Sequence, residues 1–136
     1  MAAKVGYSTP MLHVKEIEKS IPFYEQLGFV LMDTDRCTPL GWARMNCEGG
    51  GVMFLRAEEP VDVSAQAFLL YMYTPDLAGL REQLRAAGIG VTPIKYPPYV
   101  PSGEMRLTDP DGYVIFVAHW GEAEHKAWLE RIGAKP

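Results

Sequence analysis

The sequence predicts an α+β fold made of two similar halves, each a strand followed by a helix and further strands. Two segments of equal length, Met11–Gly28 and Tyr71–Gly88, carry the same order of signals at an offset of 60 residues. In each segment a short apolar run meets an acidic residue, a helical stretch follows, and a glycine ends it. The shared order and offset indicate an internal duplication.

Helix boundaries are recognisable in both halves. In the second half, Thr74 is the expected N-cap and Pro75 the first helical residue, where its missing N–H costs nothing. Gly88 is the expected C-terminal stop, because glycine adopts the left-handed conformation readily. In the first half, Ser20 is the expected N-cap of the regular helix, with Pro22 accommodated in the first turn.

Strand signals follow each predicted helix, and four of the five strands form two hairpins. The first hairpin turns across Glu48–Gly51. The second turns across Asp109–Gly112, where Asp-Pro-Asp-Gly suits a type I turn. The expected strands are Phe29–Asp33, Trp42–Cys47, Val52–Arg56, Met105–Thr108 and Tyr113–Ala118.

The length of 136 residues fits a single domain with a sizeable core. Within residues 1–136 we expect a first module at about 7–57 and a second module at about 67–120. We expect a helical tail at 121–136.

Composition and charge narrow the possible functions. The formal net charge is -4 and no basic stripe is present, so we expect no nucleic-acid partner. The apolar runs are shorter than the roughly 18 residues of a membrane span, and residues 1–6 hold no apolar signal segment, so we expect neither a membrane partner nor secretion. Two cysteines, Cys37 and Cys47, are too few for a disulfide framework, which favours a reduced, cytoplasmic protein.

Three runs of sequence resemble one superfamily when their order and spacing are taken together. They are HVKEIEKSIPFYEQLGF (13–29), VMFL (52–55) and LTDPDGYVIFV (107–117). They resemble the vicinal oxygen chelate superfamily, which includes glyoxalase I, extradiol dioxygenases, fosfomycin-resistance enzymes and bleomycin-resistance proteins. The resemblance implies paired βαβββ modules that form a cupped mixed sheet, with the helices on its outer face and the chain usually a homodimer.

The catalytic members of that superfamily hold a divalent metal with side chains from four strand positions. Carried over one at a time, these positions fall on Thr9, Phe54, Leu69 and Phe116. Zinc, iron and manganese sites require nitrogen, sulfur or carboxylate donors, which these side chains lack. The resemblance with this departure implies no metal and no cofactor.

Strand alternation selects the candidate ligand-binding residues, on the assumption that one face of each strand lines the cup. Several have an alternative role: Phe54, Leu69 and Phe116 suit a core equally well, and His13 suits either acid–base chemistry or a plain surface position. The side of the sheet that Trp42 faces depends on the hairpin register, and Arg56 pairs an acidic ligand group only if it points inward. The candidates are Thr9, Met11, His13, Trp42, Phe54, Arg56, Leu69, Tyr71, Tyr73 and Phe116.

The proline-rich and aromatic segment at 96–101 has two interpretations. It forms one lip of the cup, or it is a rigid crossing on the surface.

The favoured hypothesis is a metal-free protein that resembles bleomycin-resistance proteins. Such a protein sequesters a planar or aromatic small molecule, for example an antibiotic, in an apolar cup at a homodimer interface. Enzymatic activity stays open as the alternative. The enzyme would be a glyoxalase-like lyase, an isomerase or a dioxygenase-type enzyme, with either His13 as acid or base or an unorthodox metal site.

Overall fold

The structure is a computed structural model that describes residues 2–133. The chain divides into two compact units, one up to Val63 and one from Ser64 onward. Each unit contains one mixed β-sheet with an α-helix between its first two strand segments, so the predicted α+β class is confirmed. That the whole chain behaves as a single domain stays a prediction. Within the described part of the chain, no helix is long and apolar enough to cross a membrane.

Unit 1 contains a four-stranded sheet in the order β1-β4-β3-β2, with β1 parallel to β4 and the other pairs antiparallel. Alternate residues of β1, β3 and β4 are buried on the side where α1 packs, because successive strand side chains point to opposite faces. Tyr24 of α1 lies at the centre of this core, with its ring 5.0 Å from that of Phe54. The elements are β1 Met11–Val14, α1 Ile17–Gln26, β2 Val30–Thr34, β3 Trp42–Cys47 and β4 Gly50–Arg56.

Unit 2 contains a three-stranded sheet in the order β5-β7-β6, with β5 parallel to β7 and β6 antiparallel to it. The segment before β6 follows the edge of that strand, with a single bridge between Lys95 and Glu104. Pro93 cannot donate a backbone hydrogen bond, which prevents a regular fourth strand there. The elements are β5 Leu70–Thr74, α2 Leu77–Ala86, β6 Glu104–Thr108, β7 Val114–His119 and α3 Glu122–Arg131. A 3₁₀ turn, Val63–Ala65, spans the point in the sequence where unit 1 ends and unit 2 begins.

The 60-residue repeat persists in the structure. Helix α1 covers Ile17–Gln26 and α2 covers Leu77–Ala86, so each end differs by 60 positions. Gly28 and Gly88 both follow their helices with positive φ angles of 96° and 78°, as the predicted stops require. We call the side of the first sheet that faces away from α1, and the side of the second sheet that faces away from α2, the distal face of each unit.

The predicted N-caps of both helices are wrong. In the second half, Asp76 is the N-cap, and its Oδ1 accepts a hydrogen bond from the Gly79 N–H at 3.0 Å. In the first half the helix begins after Glu16, whose backbone is extended, so Ser20 and Pro22 both lie inside the helix. Ser20 is buried and its hydroxyl contacts the Glu16 carbonyl at 3.4 Å, a local bond that suits a helix interior as well as a cap.

Both predicted hairpins are present with adjusted ends. The first turns tightly at residues 48–49, because Cys47 already pairs with Gly50. The second is closed by a hydrogen bond from the Gly112 N–H to the Asp109 carbonyl at 2.9 Å, as a type I turn requires. In the predicted tail, α3 covers Glu122–Arg131, and residues 134–136 lie outside the described residues.

Candidate functional site

The distal face of unit 2 carries a cluster of aromatic rings. The register pairs Tyr71 of β5 with Phe116 of β7, and their rings stack 6.1 Å apart at an interplanar angle of 12°. Tyr73 lies two residues further along β5, with its ring 5.4 Å from that of Tyr71. Tyr71 is 40% exposed and Tyr73 64% exposed, so this face presents aromatic surface to whatever approaches it. The predicted site residues Tyr71, Tyr73 and Phe116 therefore lie together.

A buried carboxylate lies beside these rings. Glu104 begins β6 and is only 7% exposed. Its Oε2 accepts a hydrogen bond from the Tyr71 hydroxyl at 2.7 Å, and its Oε1 accepts one from the Tyr99 hydroxyl at 2.8 Å. Burial, and then the bond to Glu104, raises the pKa of Tyr71 well above the ordinary phenol value. The bond to Glu104 is the main cause that raises the pKa of Tyr99.

Gly103 explains how Glu104 and Tyr99 come to meet. Its φ is +113°, and a Cβ there would lie 2.8 Å from the Ile94 side chain. Its N–H donates to the Val100 carbonyl at 3.0 Å, which folds the segment after Tyr99 back onto the start of β6. Only glycine meets both requirements without strain.

A groove of about 410 Å³ adjoins this cluster and falls in the size range of small-molecule pockets. Tyr99 and Trp120 belong to both features, because Tyr99 binds Glu104 and the Trp120 ring lies 6.2 Å from that of Tyr73. Of the segment 96–101, the residues Tyr99, Val100 and Pro101 line this groove. The lining residues are Tyr99, Val100, Pro101, Ser102, His119, Trp120, Ala123, Glu124, Ala127, Trp128 and Arg131.

His119 joins the groove to the sheet and to both helices of unit 2. Its Nδ1 accepts a hydrogen bond from the Leu77 N–H at 3.4 Å, which assigns the proton of a neutral ring to Nε2. The Nε2 lies 3.2 Å from Glu124 Oε1, which also accepts from the Gly121 N–H at 2.9 Å. This network holds the start of α3 against the end of β7.

The distal face of unit 1 is built differently. Met11 and His13 lie on it at positions equivalent to Tyr71 and Tyr73, and both are exposed. The hairpin register pairs Trp42 with Leu55, which in turn pairs with His13, so Trp42 faces the same side. The acid–base role of His13 stays a prediction.

Two further features of unit 1 involve residues that precede β1 and residues of β3. The Arg44 guanidinium lies 5.5 Å from the centre of the Tyr7 ring. The Thr9 hydroxyl and the Asn46 side-chain oxygen are buried without a hydrogen-bond partner. Thr9 precedes β1 just as Leu69 precedes β5, 60 residues later.

The structure corrects the face that was predicted for Phe54 and Arg56. Phe54 pairs with the buried Leu12 and is itself fully buried against α1, on the side opposite His13. Arg56 lies on the same side as Phe54 by alternation, at the exposed end of β4. Met53 pairs with Met11, as Phe116 pairs with Tyr71, so Met53 is the true equivalent of Phe116.

With that correction, the four positions implied for metal ligands are Thr9, Met53, Leu69 and Phe116. They offer a hydroxyl, a thioether and two hydrocarbon groups, which do not fit a site for zinc, iron or manganese. Among residues 2–133, no three His, Cys, Asp or Glu side chains lie close enough together to hold a metal ion.

Glu104 and Trp120 are absent from the predicted site. Glu104 alternates with Arg106 along a strand, a pattern typical of a solvated face. Trp120 follows the last predicted strand, and its position in the sequence carries no signal of contact with Tyr73. The alternating tyrosines Tyr71 and Tyr73, together with Phe116 and the segment 96–101, pointed to this region.

The model of the Glyoxalase/Bleomycin resistance protein/Dioxygenase superfamily matches residues 6–117. The chain therefore belongs to this superfamily, and the resemblance stated from the sequence is confirmed. No curated protein sequence gives a significant match to the chain.

Solved structures with the same fold are numerous. A bleomycin-binding protein complexed with bleomycin aligns with a TM-score of 0.69 and 22% identity, over 85% of this chain and 99% of that one. A bleomycin resistance determinant encoded on the transposon Tn5 aligns with a TM-score of 0.70 and 22% identity, over 87% of this chain and 99% of that one. An antibiotic-binding protein from Streptomyces sp. CB03234 aligns with a TM-score of 0.67 and 21% identity, over 87% of this chain and 98% of that one. At these identities the comparison establishes the fold.

Proposed function

We propose that this protein binds and sequesters a planar or aromatic small molecule on the distal face of unit 2. One observation carries the proposal: Tyr71, Tyr73 and Phe116 lie together on a sheet, partly exposed, beside a groove that shares Trp120 with them. Rings held on a sheet lose little conformational freedom when a flat molecule stacks on them. The sheet therefore supplies a preorganised stacking surface.

Two further facts support a binding role. Exposed aromatic groups that adjoin one another typically mark ligand or partner sites, whereas isolated ones do not. Three proteins of the same fold are described as bleomycin-binding, bleomycin-resistance and antibiotic-binding proteins. An antibiotic or similar natural product is therefore the class of ligand that we infer.

We further propose that the protein works as a cytoplasmic homodimer. Three consecutive apolar side chains of the edge strand β2, Val30, Leu31 and Met32, are exposed, and a second copy would bury them. The thiols of Cys37 and Cys47 are both free, as a reducing compartment favours. Sedimentation equilibrium of wild type and Met32→Lys tests the assembly: we expect a dimer that the lysine weakens, and a wild-type monomer would contradict it.

Fluorescence titration with acridine, a flat neutral aromatic, tests the binding function. We expect saturable binding that Tyr73→Leu and Phe116→Leu each weaken by roughly two- to tenfold, because each removes about 0.5–1.5 kcal/mol of stacking. The matched control is Tyr96→Leu, which removes an exposed tyrosine of the same unit outside the ring cluster. Equal losses in the control, or no binding of acridine, of other planar aromatics or of bleomycin, would contradict the proposal.

A further inference from the structure

The carboxylate of Glu104 is buried without a positively charged partner. Both of its oxygens accept a hydrogen bond from a phenol, which is the pattern of an ionised carboxylate. Within residues 2–133, no Lys, Arg or His nitrogen lies within 4.0 Å of it. A carboxylate has room for about four hydrogen bonds, so half of its capacity stays unused.

The cationic residues of the neighbourhood are engaged elsewhere or do not reach Glu104. Arg106 lies two residues along the same strand and forms no ion pair with it. Lys95 meets Glu104 only through the backbone bridge. His119 pairs with Glu124 instead. Buried charges in proteins are normally paired because desolvation is costly, so the negative charge of Glu104 calls for a partner from outside the chain.

The rings around Glu104 favour the same kind of partner. Tyr71 and Tyr99 bind its oxygens, and Tyr73 and Trp120 extend the aromatic surface from there. The face of an aromatic ring attracts a cation, tryptophan and tyrosine most strongly. A carboxylate set among such rings is complementary to an amine, a guanidinium or a positively charged ring nitrogen, and it repels anions.

We propose that the ligand of unit 2 carries a positive charge, which docks beside Glu104 while its flat part stacks on Tyr71, Tyr73 and Phe116. This inference rests on the proposed binding function and adds the charge of the ligand. The hydroxyls of Tyr71 and Tyr99 orient the carboxylate, and the carboxylate selects the cation.

A matched pair of probes tests the charge: acridine, which is neutral in mildly alkaline buffer, and N-methylacridinium, which has nearly the same shape and a permanent positive charge. We expect wild type to bind the cation roughly tenfold more tightly or better, as cation–π and charge pairing combine. Glu104→Gln keeps the size of the side chain and should remove most of the preference, since only the cation–π attraction of the rings remains, while acridine binding persists. Glu82→Gln removes an exposed acid on α2 and should leave the preference unchanged.

A second variant guards against misfolding of Glu104→Gln. Tyr99→Phe keeps all the rings, the carboxylate and its hydrogen bond from Tyr71, and it should retain the preference for the cation. Equal binding of both probes to wild type, loss of the preference in Tyr99→Phe, or an undiminished preference in Glu104→Gln would each overturn the inference while the binding function stands. Failure of both probes to bind would overturn the two together.

Discussion

The two units share a framework and differ in the chemistry of their distal faces. Met11 and His13 in unit 1 stand where Tyr71 and Tyr73 stand in unit 2, and Met53 stands where Phe116 does. The first strand, the helix and the glycine that follows it correspond at an offset of 60 residues, yet among residues 2–133 the ring cluster around a buried acid lies in unit 2. The comparison teaches that the repeat preserves positions, while function depends on which side chains fill the distal ones.

The largest expected effect contrasts the two phenylalanines of the last strand in each unit. Phe54→Ala should lower the free energy of unfolding by about 3–5 kcal/mol, because Phe54 is fully buried against Tyr24. Phe116→Ala should cost clearly less, because Phe116 is half-buried on the distal face. Urea denaturation followed by circular dichroism measures both values. Equal losses would contradict the assignment of the two residues to opposite faces.

A smaller effect separates the two helix N-termini. Asp76→Ala should cost about 1 kcal/mol, because the Asp76 carboxylate caps the Gly79 N–H. Glu16→Ala removes no such bond and breaks only an exposed ion pair with Lys19, so it should change stability little. Thermal unfolding of the two variants compares them directly. A larger loss of stability in Glu16→Ala than in Asp76→Ala would contradict the assignment of a side-chain cap to α2 and none to α1.

The smallest expected effect concerns the titration of the phenols in unit 2. The bond to Glu104 and burial raise the pKa of both Tyr71 and Tyr99 in the folded state, so their neutral forms stabilise the fold. That contribution is fully present below the ordinary phenol pKa of about 10 and is lost as the pH rises from there towards the folded pKa. Unit 1 has methionine in place of Tyr71.

Ultraviolet difference spectroscopy of phenolate formation measures how Glu104 affects the pKa of these two tyrosines. Glu104→Gln should lower the pKa of Tyr99 most of the way to the ordinary phenol value, because the hydrogen bond to Glu104 is the main cause of the raised pKa. The pKa of Tyr71 should fall only in part, since burial is the larger cause there. Glu82→Gln serves as the control. Identical titration curves for wild type and Glu104→Gln would contradict the hydrogen-bond network.

Much of the fold could be predicted because its signals are local. Gly28 and Gly88 end the helices at the expected positions, since each stop depends on one residue's backbone freedom. The N-caps could not be separated from neighbouring polar residues: Ser20 and Thr74 have capping side chains, but Glu16 and Asp76 are the residues at the boundary. Several side chains can cap within one turn, and packing selects among them.

The candidate site was predictable only in part. Tyr71 and Tyr73 alternate along one strand, so their shared face follows from the period of two. For Phe54 the same rule places alternate side chains on one face of the strand, but it does not say which face α1 covers. The rule therefore could not decide whether Phe54 lines the cup or belongs to the core.

By itself, then, the sequence determined the repeat, the fold class and the aromatic spacing of β5, because each depends on residues near one another in the chain. Only the tertiary structure decided that Phe54 is core, that Met53 matches Phe116, and that Glu104 meets Tyr71 from 33 positions away. These contacts arise from parallel pairing and from the turn at Gly103, which join distant segments. No local periodicity encodes such pairings, since they depend on which strands become neighbours once the core is buried.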